Sequence, residues 1–200
     1  MCEQVKEKII IAGESFSLLT EPLAPLIIKP RSLTEPLAPD RIIFEEIASY
    51  CYRGYCGTWE LKDNSLYLTS FSGNIIEGYL SFSTPTKAIW FSGKLRIPIK
   101  DMFGYKPVGR FNELYSEELE VEIYEGNISN ILHKKFKMEL VKRDYGYRCY
   151  EFMEATSADT IKLSNDEMIK FIKDEAQNKI RRILSWPLCS EIIYSRNLEI

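Results

Sequence analysis

Tyr55-Cys56-Gly57-Thr58-Trp59-Glu60-Leu61-Lys62-Asp63-Asn64-Ser65-Leu66-Tyr67-Leu68-Thr69 is the stretch whose reading decides the fold. Tyr55, Gly57, Trp59 and Leu61 alternate with Cys56, Thr58, Glu60 and Lys62; beyond Asp63-Asn64, Leu66 and Leu68 alternate with Tyr67 and Thr69. A period of two marks strands with one buried face. Asp and Asn tolerate the positive φ that a two-residue turn demands. The expected hairpin pairs Leu61 with Leu66 and Trp59 with Leu68 on one face, and Glu60 with Tyr67 and Thr58 with Thr69 on the other.

Working outward, Trp90 to Ile99 repeats the pattern, with Phe91, Gly93, Leu95, Ile97 and Ile99 on one face; Pro98 predicts a strand end or an edge. Leu119, Val121 and Ile123 alternate with Glu118, Glu120 and Glu122, turn at Gly126-Asn127 and return through residues 128 to 140. This predicts a second hairpin over 118–140 with an acidic, solvated outer face. A turn at Gly126-Asn127 sets His133 opposite Glu120 and Lys135 opposite Glu118.

Between 165 and 185 the period becomes about 3.6, with Ile169, Ile172, Ala176, Ile180 and Ile183 on one stripe. Ser164 and Glu167 form a capping-box pattern, Arg181 and Arg182 suit the negative end of the dipole, and Trp186-Pro187 stops the helix. Upstream, Leu19 to Pro25 and Leu33 to Pro39 both read Leu-Thr-Glu-Pro-Leu-Ala-Pro, a tandem duplication in a Pro-containing loop segment over 17–40. The expected architecture is α+β and strand-dominated: an antiparallel curved sheet or partial barrel of hairpins with a C-terminal amphipathic helix packed on it.

With 200 residues, 45% of them apolar, the chain can bury a core of its own, so a single domain over 1–200 is expected. A net charge of -3, evenly scattered, supplies no field to gather nucleic acid or an anionic membrane. The first residues offer only Ile9 to Ala12 as an apolar run, too short for an exported leader or a membrane span. Five cysteines at irregular spacing (Cys2, Cys51, Cys56, Cys149, Cys189) read as free thiols in a reducing compartment, and cytoplasmic localisation is expected.

The segments Arg53-Gly54-Tyr55-Cys56-Gly57-Thr58-Trp59-Glu60 and Trp90-Phe91-Ser92-Gly93-Lys94-Leu95-Arg96-Ile97-Pro98, and more weakly Leu114 to Ile128, resemble a family of uncharacterised bacterial proteins. The chain departs from it between Phe103 and Asn112, where the family's Gly-Tyr-rich loop is replaced. The resemblance implies a bacterial cytoplasmic protein and carries no activity, cofactor or substrate.

Chemical constellations are few. His133, the sole histidine, has no evident nucleophile or metal partner. Cys51 and Cys56 are spaced wrongly for a redox pair or zinc, and the acidic run 117–125 is explained by strand alternation. Phosphate-binding glycine loops and a Gly-x-Ser-x-Gly elbow are absent. No catalytic residue, metal or cofactor is therefore assigned. Arg53, Tyr55, Glu60 and Tyr67 remain as ligand- or partner-binding candidates, because arginine and aromatics dominate binding hot spots and Gly54 and Gly57 permit close approach. The competing reading buries Tyr55 and Trp59 and pairs Arg53 with Glu60. A non-catalytic protein that binds another protein, of immunity or accessory type, is the leading expectation. The alternatives are a small-ligand binder with a pocket near Arg53 and Glu60, and an enzyme using Glu60 or His133.

Overall fold

The computed structural model describes residues 4–27, 43–45, 50–77, 85–100, 102–105, 113–144 and 149–185. Its strands are β1 (Glu7–Ile11), β2 (Glu14–Leu18), β3 (Ile43–Phe44), β4 (Tyr55–Lys62), β5 (Ser65–Gly73), β6 (Ile75–Glu77), β7 (Thr86–Lys87), β8 (Gly93–Pro98), β9 (Met102–Tyr105), β10 (Glu113–Tyr115), β11 (Glu117–Tyr124), β12 (Asn127–Asp144) and β13 (Cys149–Lys162), followed by helix α1 (Asn165–Ser185). The main sheet runs β2-β1-β4-β5-β12-β11-β8, with β13 also on β12 and β7 on β5; β9–β10 and β3–β6 are small separate pairs. The molecule is thus strand-dominated α+β, as the periodicity predicts.

Three tight turns set the hairpins. Ala12-Gly13, Asp63-Asn64 and Glu125-Gly126 all have positive φ at both central residues, the signature of turns whose twist matches that of the flanking strands. In the β4–β5 hairpin, Leu61 pairs with Leu66, Glu60 with Tyr67 and Trp59 with Leu68, as expected. Beyond Trp59 the register slips by one, and Thr58 pairs with Ser70 instead of Thr69. Thr69 is the extra residue of a bulge, and its hydroxyl donates to the Thr58 carbonyl at 2.9 Å.

The second hairpin departs from expectation at its turn, which is Glu125-Gly126 and not Gly126-Asn127. Ser129 then bulges, its hydroxyl donating to the Glu122 carbonyl at 3.0 Å. The net slip is one residue: His133 faces Leu119 and Lys134 faces Glu118. In a strand such a slip moves a side chain to the other face. His133 therefore lies inside, 6% exposed, and not on the acidic face beside Glu120.

The sheet is mixed, which corrects the all-antiparallel expectation. β1 runs parallel to β4, with Lys8 beside Thr58 and Ile11 beside Leu61, because the long connection after β2 brings the chain back to lay β4 along β1 in the same direction. Ile9, Ile11, Leu18, Trp59, Leu66, Leu68, Leu95, Ile97, Leu119 and Val121 fill the interior. Full burial of each aliphatic side chain stabilises by about 1.5–3 kcal/mol. The first copy of the heptapeptide contributes to this core: Leu19 and Leu23 are buried, and the Trp90 indole donates to the Pro22 carbonyl at 3.1 Å. The second copy lies outside the described residues.

Helix α1 starts where the capping box places it. The Ser164 Oγ accepts from the Glu167 N–H at 3.3 Å, and the Glu167 carboxylate accepts from the Ser164 N–H at 2.7 Å. These Ser164 hydrogen bonds hold the exposed Glu167 carboxyl below its ordinary value. Met168 and Ile172 reach the core, with Phe171 packed beside them, so the buried stripe is centred one residue earlier than Ile169. Ser164→Ala should lower stability by about 1 kcal/mol, read as a reduced midpoint in thermal melts followed by circular dichroism. Among the described residues no helix is long and apolar enough to cross a membrane.

Candidate functional site

Two places combine exposed or unsatisfied chemistry with a defined position in the fold. The segment that follows β2 touches both, with Glu21 at the first and Leu19 and Thr20 at the second.

The first is a charged cluster inside the sheet. β1 enters with Glu7 pointing inward, its side chain fully buried. The Trp59 indole Nε1 donates to Glu7 Oε2. A Cβ on Gly57 would stand 2.6 Å from that oxygen and 2.7 Å from the indole nitrogen, so the missing side chain makes room for the bond. Arg53, in the turn before β4, sets its Nε 3.6 Å from Glu7 Oε1 and its Nη1 3.5 Å from Glu21 Oε1. Its guanidinium also lies 5.3 Å from the centre of the Tyr55 ring, a distance at which the cation is attracted to the ring face. Arg53 Nε and Nη2, Glu7 Oε1 and the Tyr55 hydroxyl are all buried without a hydrogen bond.

Burial pushes the Glu7 carboxyl up to about 7, against the partial opposition of the Trp59 hydrogen bond and the Arg53 charge. Desolvation, followed by the neighbouring Glu7 charge, raises the Tyr55 phenol as well, and burial raises the Cys56 thiol. A raised thiol is a poor nucleophile at neutral pH.

The four candidate residues divide between the two faces. Arg53 and Tyr55 converge on this cluster, whereas Glu60 and Tyr67 form a half-buried cross-strand pair on the opposite face of β4 and β5. Arg53 meets Glu7 and Glu21 and not Glu60. Arg53 and Glu60 thus point to different faces of the hairpin, whose inner face is filled by Trp59, Leu61, Leu66 and Leu68. His133 Nε2 stands 2.9 Å from Glu117 Oε2 with its ring centre 4.5 Å from that of Phe171, inside and away from Glu60. Among the described residues no group of three His, Cys, Asp or Glu side chains could hold a metal ion.

The acidic run is less solvated than its alternation suggests. Glu118 accepts a two-point hydrogen bond from Arg96 at 2.7 and 3.0 Å, and Glu120 accepts from Lys94 and Lys134 at 2.9 and 2.6 Å. These cations cover the carboxylates, and both Glu118 and Glu120 are buried. Burial alone would raise Glu120, but the hydrogen bonds from Lys134 and Lys94 outweigh it and hold the carboxyl low.

The second place is a seam. The sheet's two ends, β2 and β8, approach each other. Leu19 N donates to the Arg96 carbonyl at 2.9 Å, Arg96 N donates to Thr20 Oγ1 at 3.0 Å, and Thr20 Oγ1 donates to the Lys94 carbonyl at 3.1 Å. The next residue of β8 in phase with Lys94 and Arg96 is Pro98, which has no N–H to give. There the ends part and leave a groove of about 350 Å³. Ser15, Phe16 and Ser17 form one wall, Ile99 the other, and Ala176 and Lys179 of α1 the roof. Lys100 and Glu175 form an ion pair that ties the roof to the wall. The tight Ala12-Gly13 turn directs the peptide groups of Glu14, Phe16 and Leu18 to β1. Those of Ser15 and Ser17, in phase with Leu19, therefore face the groove.

The sequence reading did not find Glu7, Glu21, Ser15 or Ser17. The one available signal was Pro98, which predicted an edge. The chain matches no protein-family model, no curated protein and no solved structure, so the family likeness of the Arg53 and Trp90 segments brings no activity to either place.

Proposed function

We propose that this chain is a non-catalytic protein that binds another protein by taking an extended segment of it along β2 at the seam. The observation that supports this reading is the strand edge at Ser15 and Ser17, unpaired among the described residues, left open by Pro98 and roofed by α1. An added strand gains affinity from main-chain hydrogen bonds and specificity from alternate side chains. Here the alternate side chains would meet half-buried Phe16, Ile99 and Ala176 on the inner side, and Ser15 and Ser17 on the outer. The fitting partner is thus a short extended segment with apolar residues at every second position. The free thiols of Cys51 and Cys56 fit a reducing compartment, and with it a cytoplasmic partner.

The test is selection of linear peptides from a displayed random library, with affinities measured by fluorescence anisotropy for the protein and for Ser17→Pro. Proline at an edge position removes one N–H without disturbing the ladder on the other side, and a thermal melt verifies the fold of the variant. Peptides with apolar residues at alternate positions that bind Ser17→Pro at least about tenfold more weakly, the loss of one good hydrogen bond, would support the reading. Failure to enrich any such peptide, or equal binding to Ser17→Pro, would overturn it. A dimer in sedimentation that Ser17→Pro converts to monomer would assign the edge to a second copy of the chain instead.

A further inference from the structure

We propose that the seat occupied by Leu19–Pro25 is a binding site for a linear sequence, Leu-Thr-Glu-Pro-Leu-Ala-Pro, and that the chain carries two ligands for it: Leu33–Pro39, identical at all seven positions, can take the place of the first copy. The first copy is held by its side chains as well as by its backbone. Leu19 and Leu23 are buried, and Leu23 belongs to the core. The Leu19 N–H donates to the Arg96 carbonyl at 2.9 Å. Thr20 Oγ1 accepts from the Arg96 N–H at 3.0 Å and donates to the Lys94 carbonyl at 3.1 Å. Glu21 Oε1 stands 3.5 Å from Arg53 Nη1, and the Pro22 carbonyl accepts from the Trp90 indole at 3.1 Å. Pro25 lies in the short 3-10 turn Ala24–Leu26, where its fixed φ suits the first turn. Five consecutive residues, Leu19 to Leu23, are thus each matched by a group of the seat. A segment of another sequence would leave the Arg96 N–H and the Lys94 carbonyl without the threonine hydroxyl, a loss that an identical segment does not incur.

Both connections to the second copy reach. With Leu33 in the position of Leu19, the chain leaves β2 at Leu18 and residues 19–32 become a fourteen-residue loop. The entropy of closing a loop rises only slowly with its length. Downstream, Glu35 precedes Phe44 by nine residues, a reach of up to about 30 Å. In the structure Glu21 is linked to Phe44 through only two side chains: Arg53, whose guanidinium lies 5.3 Å from the Tyr55 ring centre, and Tyr55, stacked on Phe44 at 4.9 Å. The second copy can therefore be seated with β3 where it is. The first copy keeps an advantage, because Leu18 runs straight into it from the β1–β2 ladder, and Leu26 and Ile27 after it pack against the core where the second copy is followed by Asp40 and Arg41. Leu19–Pro25 is accordingly the resident ligand and Leu33–Pro39 its replacement. Exchange frees the first heptapeptide while the seam between β2 and β8 stays closed, and it leaves Ser15 and Ser17 as they are, so it stands apart from the binding proposed along β2.

The test is urea unfolding of the full chain as wild type, Leu23→Ala, Leu37→Ala and the double variant. Truncating a buried leucine that has no replacement lowers the folding constant by about thirtyfold or more. With exchange, Leu23→Ala should lose no more than about tenfold, the disadvantage of the second seating. Leu37→Ala alone should change the constant by less than about twofold, since it removes only a minor state. In the Leu23→Ala background, Leu37→Ala should cost at least about fivefold more, and a double variant that fails to fold where Leu23→Ala folds counts as such a loss. Leu37→Ala having the same effect in both backgrounds would overturn the proposal, and so would a Leu23→Ala that does not fold. Amide hydrogen exchange reads the seat itself: in Leu23→Ala the Arg96 N–H should stay protected and lose about tenfold in protection on adding Thr34→Ala. An Arg96 N–H indifferent to Thr34→Ala in that background would also overturn it.

Discussion

Glu7→Gln is expected to stabilise the protein at pH 8, although it removes half of a buried ion pair. The folded carboxyl sits at about 7 against an ordinary 4.5. Penalising the ionised form to that extent corresponds to about 3 kcal/mol. The folded state holds the proton more tightly than the unfolded state, so this contribution is complete below pH 4.5 and lost as pH rises through 7. Glutamine mimics the protonated acid: its amide oxygen still accepts from Trp59, and it carries no charge to desolvate. Urea unfolding should therefore show the variant more stable than wild type by about 3 kcal/mol at pH 8 and nearly equal to it at pH 4.5. Equal stability of the two at both pH values would mean that Arg53 compensates the Glu7 charge fully, and the desolvation argument would be wrong.

Gly54→Ala carries the second large effect, in the opposite direction. Gly54 has a φ of +75°, and a Cβ there would stand 2.2 Å from the Glu45 carbonyl oxygen and 2.8 Å from Phe44 Cβ. The strained backbone and the displacement of β3 together should cost about 3 kcal/mol. Gly13 is the control, because its φ of +87° is as demanding but nothing lies within 4 Å of the position. Gly13→Ala should lose only the backbone part, about 1 kcal/mol. Similar urea midpoints for the two variants would show that β3 does not pack against the turn as described.

The hairpin 55–69 was legible because its turn chemistry and its alternation agree, and it departs only where Thr69 bulges. The second hairpin was legible in kind but not in register. Glu125 adopts a positive φ that nothing in a glutamate announces, and the Ser129 bulge is equally silent. Together they turned His133 inward. The charge cluster could not be read at all, since Glu7, Glu21 and Arg53 are remote in sequence and meet only through the β1–β4 pairing. Arg53 was singled out for its residue type, and its partner was assigned by proximity along the chain. Proximity in space overrode it.

The parallel contact of β1 with β4 also orders the assembly of the sheet. β4–β5 and β11–β12 close across two-residue turns, whereas the first rung between Lys8 and Thr58 must wait for a long loop to close. Distant pairings are slow because loop entropy is lost before any contact is gained. The β1–β2 hairpin should join last, so that pulse-labelled refolding protects the Val121 amide before that of Ile10, whose peptide group faces β4. Until then β4 is an uncovered edge beside an unfilled interior, the species most open to association with its own kind. The final docking step is also the one that takes Glu7 out of water, which ties the lifetime of this vulnerable intermediate to the acidity of the solution.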